Sequence, residues 1–279
     1  MHYRVRDFFQ KRGLLEVDVP VMSMAGGTDP QIDYHEVSSE PTNEKYLATS
    51  PEFFLKRLLA NGFGDIFSLT HAFRKGESGE RHNSEFNIAE WYRIGFSAED
   101  MQKEIVDLVN CITGFNLPLK RTTWKNAFEN VPLDKLKLEH SNWTSEEIED
   151  YALTTIIEPT LGKGCAEFLI DYPPERAALS KIKNGIACRF ELYINGVELC
   201  NGYEELTNYE EQKKRFFEDC EKRKLTGKPV PKIDENFLSA VKKGIPECCG
   251  VALGLDRLYM LALDKKNIEE ILLFSDNDA

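Results

Sequence analysis

The spacing of apolar and polar residues predicts a helix at the start of the chain and a strand after it. Apolar residues recur at helical spacing over residues 3–12, and Gly13 ends that stretch. Residues 14–19 alternate as in a strand, which Pro20 ends or places at a sheet edge. Residues 26–43 form a polar stretch that predicts a loop.

A helix, two strands and a second helix are predicted next. Ser50 is the expected cap of a helix over residues 51–62, with Pro51 in its first position. A charged loop joins the strands predicted over residues 66–74 and 84–93. The helix predicted over residues 97–113 carries one apolar stripe, which indicates a buried face. This stripe consists of Met101, Ile105, Leu108, Val109 and Ile112.

The clearest local signal in the second half of the chain is a β-hairpin. Asn195-Gly196 is typical of a two-residue turn between antiparallel strands. A charged helix is predicted over residues 209–223. Its expected buried positions are Phe216, Phe217 and Cys220.

The remaining segments complete an α+β pattern. Residues 250–254 predict a strand that runs into a helix over residues 255–263. Residues 116–164 are less informative and contain one clear signal, a capping box of Thr144 and Glu147. Because neither repeats nor linkers divide the elements, we expect residues 1–279 to form a single α+β domain built on an antiparallel sheet.

Strand alternation brings polar groups together around the two strands of the first half. Arg74 lies at the end of the small, polar face of the first strand, and Glu90 and Tyr92 share a face with Phe86 on the second. The connecting loop contains Arg81, His82 and Asn83. Arginine with such neighbours suits a polyphosphate, because guanidinium binds two phosphate oxygens at once. A solvated hairpin loop is the alternative.

Two carboxylates in the hairpin indicate a cation site. The two-residue turn pairs Tyr193 with Glu198 and Glu191 with Cys200, so the two glutamates lie diagonally on one face. Such carboxylates repel each other unless a proton or a cation lies between them, and Mg²⁺ is the usual partner beside phosphates. A solvent-facing acidic strand pair is the alternative.

Two further features lie downstream of this hairpin. Strict alternation places Glu204 rather than Glu205 on the face of the paired glutamates, and a bulge at Gly202 would reverse this order. Near the end of the chain, Gly254 allows a backbone to approach a ligand, and Arg257 follows in the first turn of a helix. Tight packing of strand on helix is the alternative for that glycine.

Composition excludes several classes of protein. The 279 residues include 35 Lys+Arg and 47 Asp+Glu, and a net charge of −12 argues against a protein that coats nucleic acid. Hydrophobic residues at 42% fit a folded domain, and no apolar run approaches the roughly 18 residues of a spanning helix. With a charged start, the chain is expected to be cytoplasmic and not membrane-bound. Seven scattered cysteines indicate neither a disulfide framework nor a zinc site.

Five segments, in this order, resemble the signatures of class II aminoacyl-tRNA synthetases, and the lysyl branch most closely. Residues 14–20 are similar to the first motif of that family, residues 73–86 to the second and residues 254–257 to the third. Residues 49–52 and 198–206 resemble two lysyl-specific stretches. The resemblance spans nearly the whole chain. It implies an antiparallel sheet flanked by helices, and a homodimer formed through the first motif.

The resemblance also implies a role for each matching residue. Arg74 and Arg257 would be catalytic, with Arg74 on the α-phosphate of ATP and Arg257 beside His82 at the distal phosphates. Glu191 and Glu198 would hold Mg²⁺. The rest of the ATP site would consist of Gly76, Glu77, Asn83, Phe86 (stacked on adenine), Leu199 and Gly254. The pocket for an amino acid with two amino groups would consist of Ser50, Glu52, Glu90, Tyr92, Asn201, Glu205 and Ala252.

Within this family, the chain resembles the stand-alone paralogues that load lysine or β-lysine onto a lysine side chain of elongation factor P. It starts at the helix before the first motif, so we expect no anticodon-binding domain. Ala252 fits this choice, because true lysyl synthetases usually have glycine there. Two features depart from the family: Gly76 stands where synthetases usually have an acid, so that Glu77 would substitute, and the N-terminus is short.

The implied reaction is formation of an aminoacyl-adenylate from ATP with release of pyrophosphate, followed by transfer to a protein amine. A free-standing enzyme that charges tRNA and a non-catalytic amino-acid sensor are the alternatives. The acidic net charge argues against tRNA. Residues 213–215 and 222–224, on one predicted helix, form a small candidate basic patch. The two interpretations of that patch are a solvated helix face and a binding site for an acidic protein partner. The retained arginines and glutamates argue against a sensor.

Overall fold

The computed structural model describes residues 1–37, 44–276 and 278, and its main element is a nine-stranded sheet. The strands are β1 (Leu15–Glu16), β2 (Met22–Ser23), β3 (Glu36–Val37), β4 (Lys45–Leu47), β5 (Ile66–Phe73), β6 (Glu85–Ile94), β7 (Leu119–Thr123), β8 (Ala166–Tyr172), β9 (Ile182–Lys183), β10 (Ile186–Ile194), β11 (Val197–Glu204) and β12 (Cys248–Gly254). The helices are α1 (His2–Lys11), α2 (Glu52–Leu59), α3 (Ala98–Thr113), α4 (Trp124–Phe128), α5 (Leu133–Glu139), α6 (Ser145–Ala152), α7 (Tyr209–Leu225), α8 (Glu235–Lys243) and α9 (Leu255–Ala262).

The strand order of the large sheet is β1-β5-β6-β12-β11-β10-β8-β7, with β9 also paired to β10. The central pairs are antiparallel, which confirms the predicted α+β class. At the two ends, β1 with β5 and β7 with β8 are parallel. Parallel neighbours need a long crossover, and here α2 and the helices α4 to α6 lie within these two connections.

The two faces of the sheet are covered differently. On one face, α1, α3 and α9 bury a continuous core with Phe67, Trp91 and Val251, and the predicted stripe of α3 is buried there. On the other face, α2, α7 and α8 cover one end, and α4 with Tyr172 and Tyr193 covers the other. The middle of this second face is left open between the two apolar clusters. The functional residues discussed below lie in this opening.

Several boundaries differ from the sequence expectations. Only Leu15–Glu16 of the strand expected over residues 14–19 is paired. The segment expected to be loop contains β3, which pairs with β4 beside β2, while residues 38–43 lie outside the described residues. The helix expected from Pro51 begins at Glu52, and the backbone N–H of Glu52 donates to Ser50 Oγ at 3.4 Å. The capping box of Thr144 and Glu147 at α6 is confirmed.

The charged helix α7 buries fewer predicted positions than expected. Phe216 and Cys220 are buried, but the prediction for Phe217 is wrong because its side chain is 51% exposed. One residue along a helix turns the side chain by about 100°, and on α7 this turn points Phe217 away from the face that buries Phe216 and Cys220. Of the helices in the described ranges, none combines the length and the apolar character that a membrane span requires.

Candidate functional site

A cleft of about 1730 Å³ lies on the open face of the sheet. The register places Glu90 of β6 opposite Ala252 of β12, Ala252 opposite Asn201 of β11, and Asn201 opposite Glu191 of β10. One row of side chains therefore crosses four strands on the same face. It joins two of the predicted subsites across the cleft floor.

Nearly all of the predicted site residues border this cleft. Gly76 does not; it lies in the exposed turn after β5 at a φ of +82°. Next to it, Glu77 Oε1 lies 3.7 Å from Arg74 Nη1, so Glu77 is the acid that contacts this arginine. The residues that border the cleft are Ser50, Glu52, Arg74, Glu77, His82, Asn83, Phe86, Glu90, Tyr92, Glu191, Glu198, Leu199, Asn201, Glu205, Ala252, Gly254 and Arg257.

A β-bulge in the hairpin decides which side chains of β11 face the cleft. Asn195 and Gly196 both have positive φ in the tight turn, and Tyr193 pairs with Glu198 as predicted. Leu192 then pairs with Cys200, so Leu199 is the extra residue. The expected pairing of Glu191 with Cys200 is wrong, since Asn201 lies opposite Glu191.

The same bulge determines the orientation of Glu204, the last residue of β11, and of Glu205, which follows it. Contrary to strict alternation, Glu205 and not Glu204 faces the cleft, and the bulge that causes this lies at Leu199 and not at Gly202. Gly202 lies on the core face, where an added Cβ would be 2.3 Å from the Phe190 ring. Glu204 accepts from the backbone N–H of Ala98 on that core side, and Glu205 borders the cleft.

The phosphate-binding residues expected from the sequence converge at one end of the cleft. The guanidinium of Arg74 lies over the Phe86 ring, 5.1 Å from its centroid. Arg257 Nη2 lies 2.5 Å from His82 Nε2, and its Nη1 donates to the Glu198 carbonyl at 2.9 Å. Burial and then Arg257 lower the pKa of His82. This end therefore presents the cationic donors that an anion site requires.

The two predicted metal ligands lie beside these cations. Glu191 accepts from the hydroxyls of Tyr172 and Tyr193 at 2.6 and 2.7 Å, and from Arg189 at 2.5 Å. Burial alone would raise the pKa of Glu191, but Arg189 and the two hydroxyls outweigh it and lower the pKa. Burial and Glu191 raise the pKa of Glu198.

The side chains around Glu191 and Glu198 fit a Mg²⁺ ion that also binds substrate phosphates. Within residues 1–37, 44–276 and 278, no group of three His, Cys, Asp or Glu side chains could hold a metal by itself. Mg²⁺ needs no such group, because it commonly takes one or two carboxylates together with substrate phosphates and water. Two carboxylates beside the cationic end of the cleft fit that pattern.

The opposite end of the cleft is acidic. Glu52, Glu90 and Glu205 surround it, and Glu90 accepts from the Tyr92 hydroxyl at 2.7 Å. The second carboxylate oxygen of Glu90 is buried and has no hydrogen-bond partner among the described residues. Burial and then Glu52 raise the pKa of Glu90 well above its usual range, and burial raises the pKa of Glu205 to about 7.

Two small residues allow this acidic end to form. An added Cβ at Gly250 would lie 2.3 Å from Glu205 Oε1 and 2.3 Å from Tyr92 Cε1, so only glycine leaves room for both. Ala252, directly opposite Glu90 and Asn201, adds a methyl group to the floor between them.

Sequence reasoning missed several side chains of the site. Lys56 of α2 is buried between Glu52 and Glu205, and its i,i+4 spacing from Glu52 was an available signal. Arg189 and Tyr193 share the cleft face with Glu191 by simple alternation, so they too could have been found. Tyr172 comes from β8, a strand that was not predicted, and gave no signal.

The predicted basic patch on α7 is reduced by internal contacts. Arg223 is 1% exposed and donates to the carbonyls of Asp29, Ile32 and Pro229. Arg215 donates to the carbonyls of Ala178 and Ser180. The interpretation as a solvated helix face is therefore wrong for these two arginines, and fewer cations remain for a nucleic-acid backbone.

Comparison with known proteins is consistent with this geometry. The profile of the family described as "tRNA synthetases class II (D, K and N)" matches residues 1–278. A Pasteurella multocida protein named "Elongation factor P--(R)-beta-lysine ligase" is 39% identical over 299 residues, covering 99% of this chain and 92% of that protein. Proteins of the same name from Haemophilus influenzae and Avibacterium paragallinarum are 37% and 38% identical, covering 99% of this chain and 93% and 92% of those proteins.

Proposed function

The chain belongs to the class II tRNA synthetases of the D, K and N group, and on this premise we propose that it is an ATP-dependent ligase for elongation factor P. It activates lysine or β-lysine and transfers it to a lysine side chain of that protein. The names of its relatives, which it matches over 99% of its length, support this assignment.

The observation that carries the proposal is the row of side chains from Glu90 to Glu191. It joins the acidic pocket at Glu90 to Glu191, and the cationic donors Arg74, His82 and Arg257 border the same cleft. A lysine-like amino acid is complementary to this layout, since its ammonium groups face carboxylates while its own carboxylate points toward the phosphates of ATP. Both reactants are thereby held for reaction with each other.

The first step forms an aminoacyl-adenylate. A carboxylate oxygen of the amino acid attacks the α-phosphorus of ATP, and the bond to the β-phosphate oxygen breaks, releasing pyrophosphate. Arg74 stabilises charge on the α-phosphate, and Arg257 with His82 binds the distal phosphates. Glu191 and Glu198 would hold Mg²⁺, which supplies further neutralisation of phosphate charge when bound.

The second step transfers the aminoacyl group. A neutral lysine amine of the acceptor attacks the adenylate carbonyl, loses a proton, and expels AMP. Ordered polar contacts around Glu191 keep its carboxylate fixed during both steps. Glu77, which contacts Arg74, takes the role of the acid that the family usually has at position 76.

Transfer assays separate this proposal from the charging of tRNA. Adenylation is measured as ATP–pyrophosphate exchange with lysine, β-lysine, ornithine and norleucine, and transfer as label on elongation factor P or on bulk tRNA. We expect exchange with lysine or β-lysine and label on the protein. Exchange with norleucine alone rejects the substrate class, and charging of tRNA without labelling of the protein rejects the acceptor.

A homodimer is part of the proposal. Leu15, in the segment that resembles the first motif, is 50% exposed at the edge of the sheet, and Tyr3 and Met24 are also exposed. Apolar surface of this kind is typical of a protein contact. Sedimentation at micromolar concentration should give twice the 32.0 kDa of one chain, and a 32.0 kDa species alone would contradict it. Single-domain organisation over residues 1–279 and a cytoplasmic location stay predictions.

A further inference from the structure

Lys56 is a fully buried cation that the reaction above does not use. Its side chain is 1% exposed, and its Nζ lies 2.6 Å from Glu52 Oε1 and 2.6 Å from Glu205 Oε2. Both carboxylates border the acidic end of the cleft, whereas Lys56 does not. A buried ammonium without partners is very costly, so its position depends on these two acids, and theirs depends on it.

The charges of this cluster can be counted. Glu52, Glu90 and Glu205 supply three negative charges when ionised, and Lys56 supplies one positive charge, which leaves two negative charges. Lysine and β-lysine each carry two ammonium groups, and their single carboxylate reacts at the other end of the cleft. The number of uncompensated acids therefore equals the number of ammonium groups.

We propose that Lys56 is a positioning residue that sets the charge of the amino-acid pocket, holding Glu52 and Glu205 together and leaving two carboxylate charges for a dicationic substrate. This inference rests on the proposed function and deepens it, because it explains how a pocket with three acids selects two cationic groups. Lys56 acts through the glutamates and does not touch the substrate.

The environment of the cluster supports a role in ionisation. Burial alone would lower the pKa of Lys56, but Glu205 and Glu52 outweigh it and raise the pKa, so the ammonium stays charged. Burial raises the pKa of Glu205 to about 7, and Lys56 acts against that rise. Other titratable groups that act on Glu205 or Lys56 among the described residues are Glu90 and Tyr92 on β6, Cys248 and Cys249 on β12, and Lys181, which is paired with Glu247.

The sign of the pH effect follows from these contacts. Because Lys56 lowers the pKa of Glu205, its removal raises that pKa, and Glu205 then ionises only at higher pH. The acid limb of kcat/KM for lysine should move up by about one pH unit from near pH 7, which lowers kcat/KM about fivefold at pH 7 and about tenfold at lower pH. The KM for ATP should not change, since the phosphate end contains none of these residues.

The test compares charge-removing and charge-keeping variants by ATP–pyrophosphate exchange from pH 6 to 9. Lys56→Met and Lys56→Gln should both shift the acid limb, and Lys56→Arg should restore it. Arg57→Met is the matched control, because Arg57 is the next residue of α2, stacks over Phe54 and does not border the cleft. In a Glu205→Gln background, Lys56→Met should produce a smaller further shift of the acid limb, because Lys56 then still lowers the pKa of Glu90 but no longer acts on Glu205.

The results of this test distinguish a failure of the proposed function from a failure of the role proposed for Lys56. Failure of the wild type with lysine and β-lysine rejects the proposed function before any variant is made. If the wild type is active but Lys56→Met keeps the same acid limb of kcat/KM and the same KM for lysine, the inference about Lys56 is overturned and the proposed function is not. A parallel rise in the KM for ATP and lysine, or unfolding of both neutral variants in saturating lysine, assigns Lys56 a purely structural role and also overturns it.

Discussion

Gly250→Ala should damage the amino-acid pocket specifically, and Gly202→Ala provides its matched control. The two glycines lie on neighbouring strands and point to opposite faces of the sheet. A Cβ at Gly250 meets Glu205 and Tyr92 at 2.3 Å, and a Cβ at Gly202 meets the Phe190 ring at 2.3 Å. Neither glycine has a positive φ, so each substitution adds only steric overlap.

The size of the effect follows from that overlap. Ordinary carbon contacts begin near about 3.5 Å, so the side chains facing either Cβ must move by roughly 1.2 Å. Overpacking of this kind costs about 1–3 kcal/mol, which lowers Tm by about 2–12 °C in a domain of this size. Because both substitutions crowd one methyl group, the loss of Tm should be similar in the two variants.

The two variants should differ in kcat/KM for lysine, with the larger loss in Gly250→Ala. Displacing Glu205 and Tyr92 by about 1 Å should lower kcat/KM for lysine by about 10- to 100-fold, since binding geometry is that sensitive. Gly202→Ala crowds the core and should leave kcat/KM for lysine within about threefold of the wild type. ATP–pyrophosphate exchange at saturating ATP, with Tm measured on the same samples, gives both quantities. Equal kinetic losses in the two variants would refute this reasoning.

Three other variants test separate parts of the structure. Glu198→Gln should raise the Mg²⁺ concentration for half-maximal exchange at least about tenfold with an unchanged circular dichroism spectrum, and unchanged turnover at limiting Mg²⁺ would reject Glu198 as a ligand. Ala252→Gly should shift preference from β-lysine toward lysine in competition assays, because it removes the methyl group between Glu90 and Asn201; an unchanged ratio would contradict this. Burial raises the pKa of Asp219 to about 6, whereas an unfolded Asp ionises near about pH 4. The free energy of unfolding therefore falls as the pH rises from about 4 to about 6. Asp219→Asn should therefore stabilise by about 1 kcal/mol at pH 7.5, after allowance for solvent screening, and not at pH 4 in urea denaturation; equal changes at both pH values would contradict the assignment.

The sequence was most informative where local physics decides the structure. The stripe of α3 and the turn at Asn195-Gly196 were predictable, because helical periodicity and positive φ are properties of a few adjacent residues. The parallel pairing of β1 with β5 was not, since it depends on how a long connection packs. Tertiary packing also made the expectation of a solvated Arg223 wrong, because its guanidinium donates hydrogen bonds to three backbone carbonyls.

The residues of the candidate site were likewise only partly predictable from the sequence. Motif residues such as Arg74 and Glu191 could be named from the sequence, and the structure brings them to one cleft. The partners that orient them could not all be named, because Tyr172 reaches Glu191 from a strand that is distant in sequence. Lys56 shows a further limit, since a lysine four residues after a glutamate in a helix is ordinarily a surface pair. Only its burial against Glu205 distinguishes it.

The bulge at Leu199 links the two ends of the cleft. Glu198 and Glu205 are seven residues apart, and in a regular strand an odd separation would put them on opposite faces. The extra residue restores them to one face, so that a proposed metal-binding carboxylate in β11 and a proposed amino-acid-binding carboxylate directly after β11 both face the cleft. The amino-acid subsite thus depends on this local irregularity, whereas the position of Glu198, which precedes the extra residue, does not. Any deletion that regularised the hairpin would turn Glu205 into the core, where Lys56 could not reach it, while Glu198 remained beside Arg257.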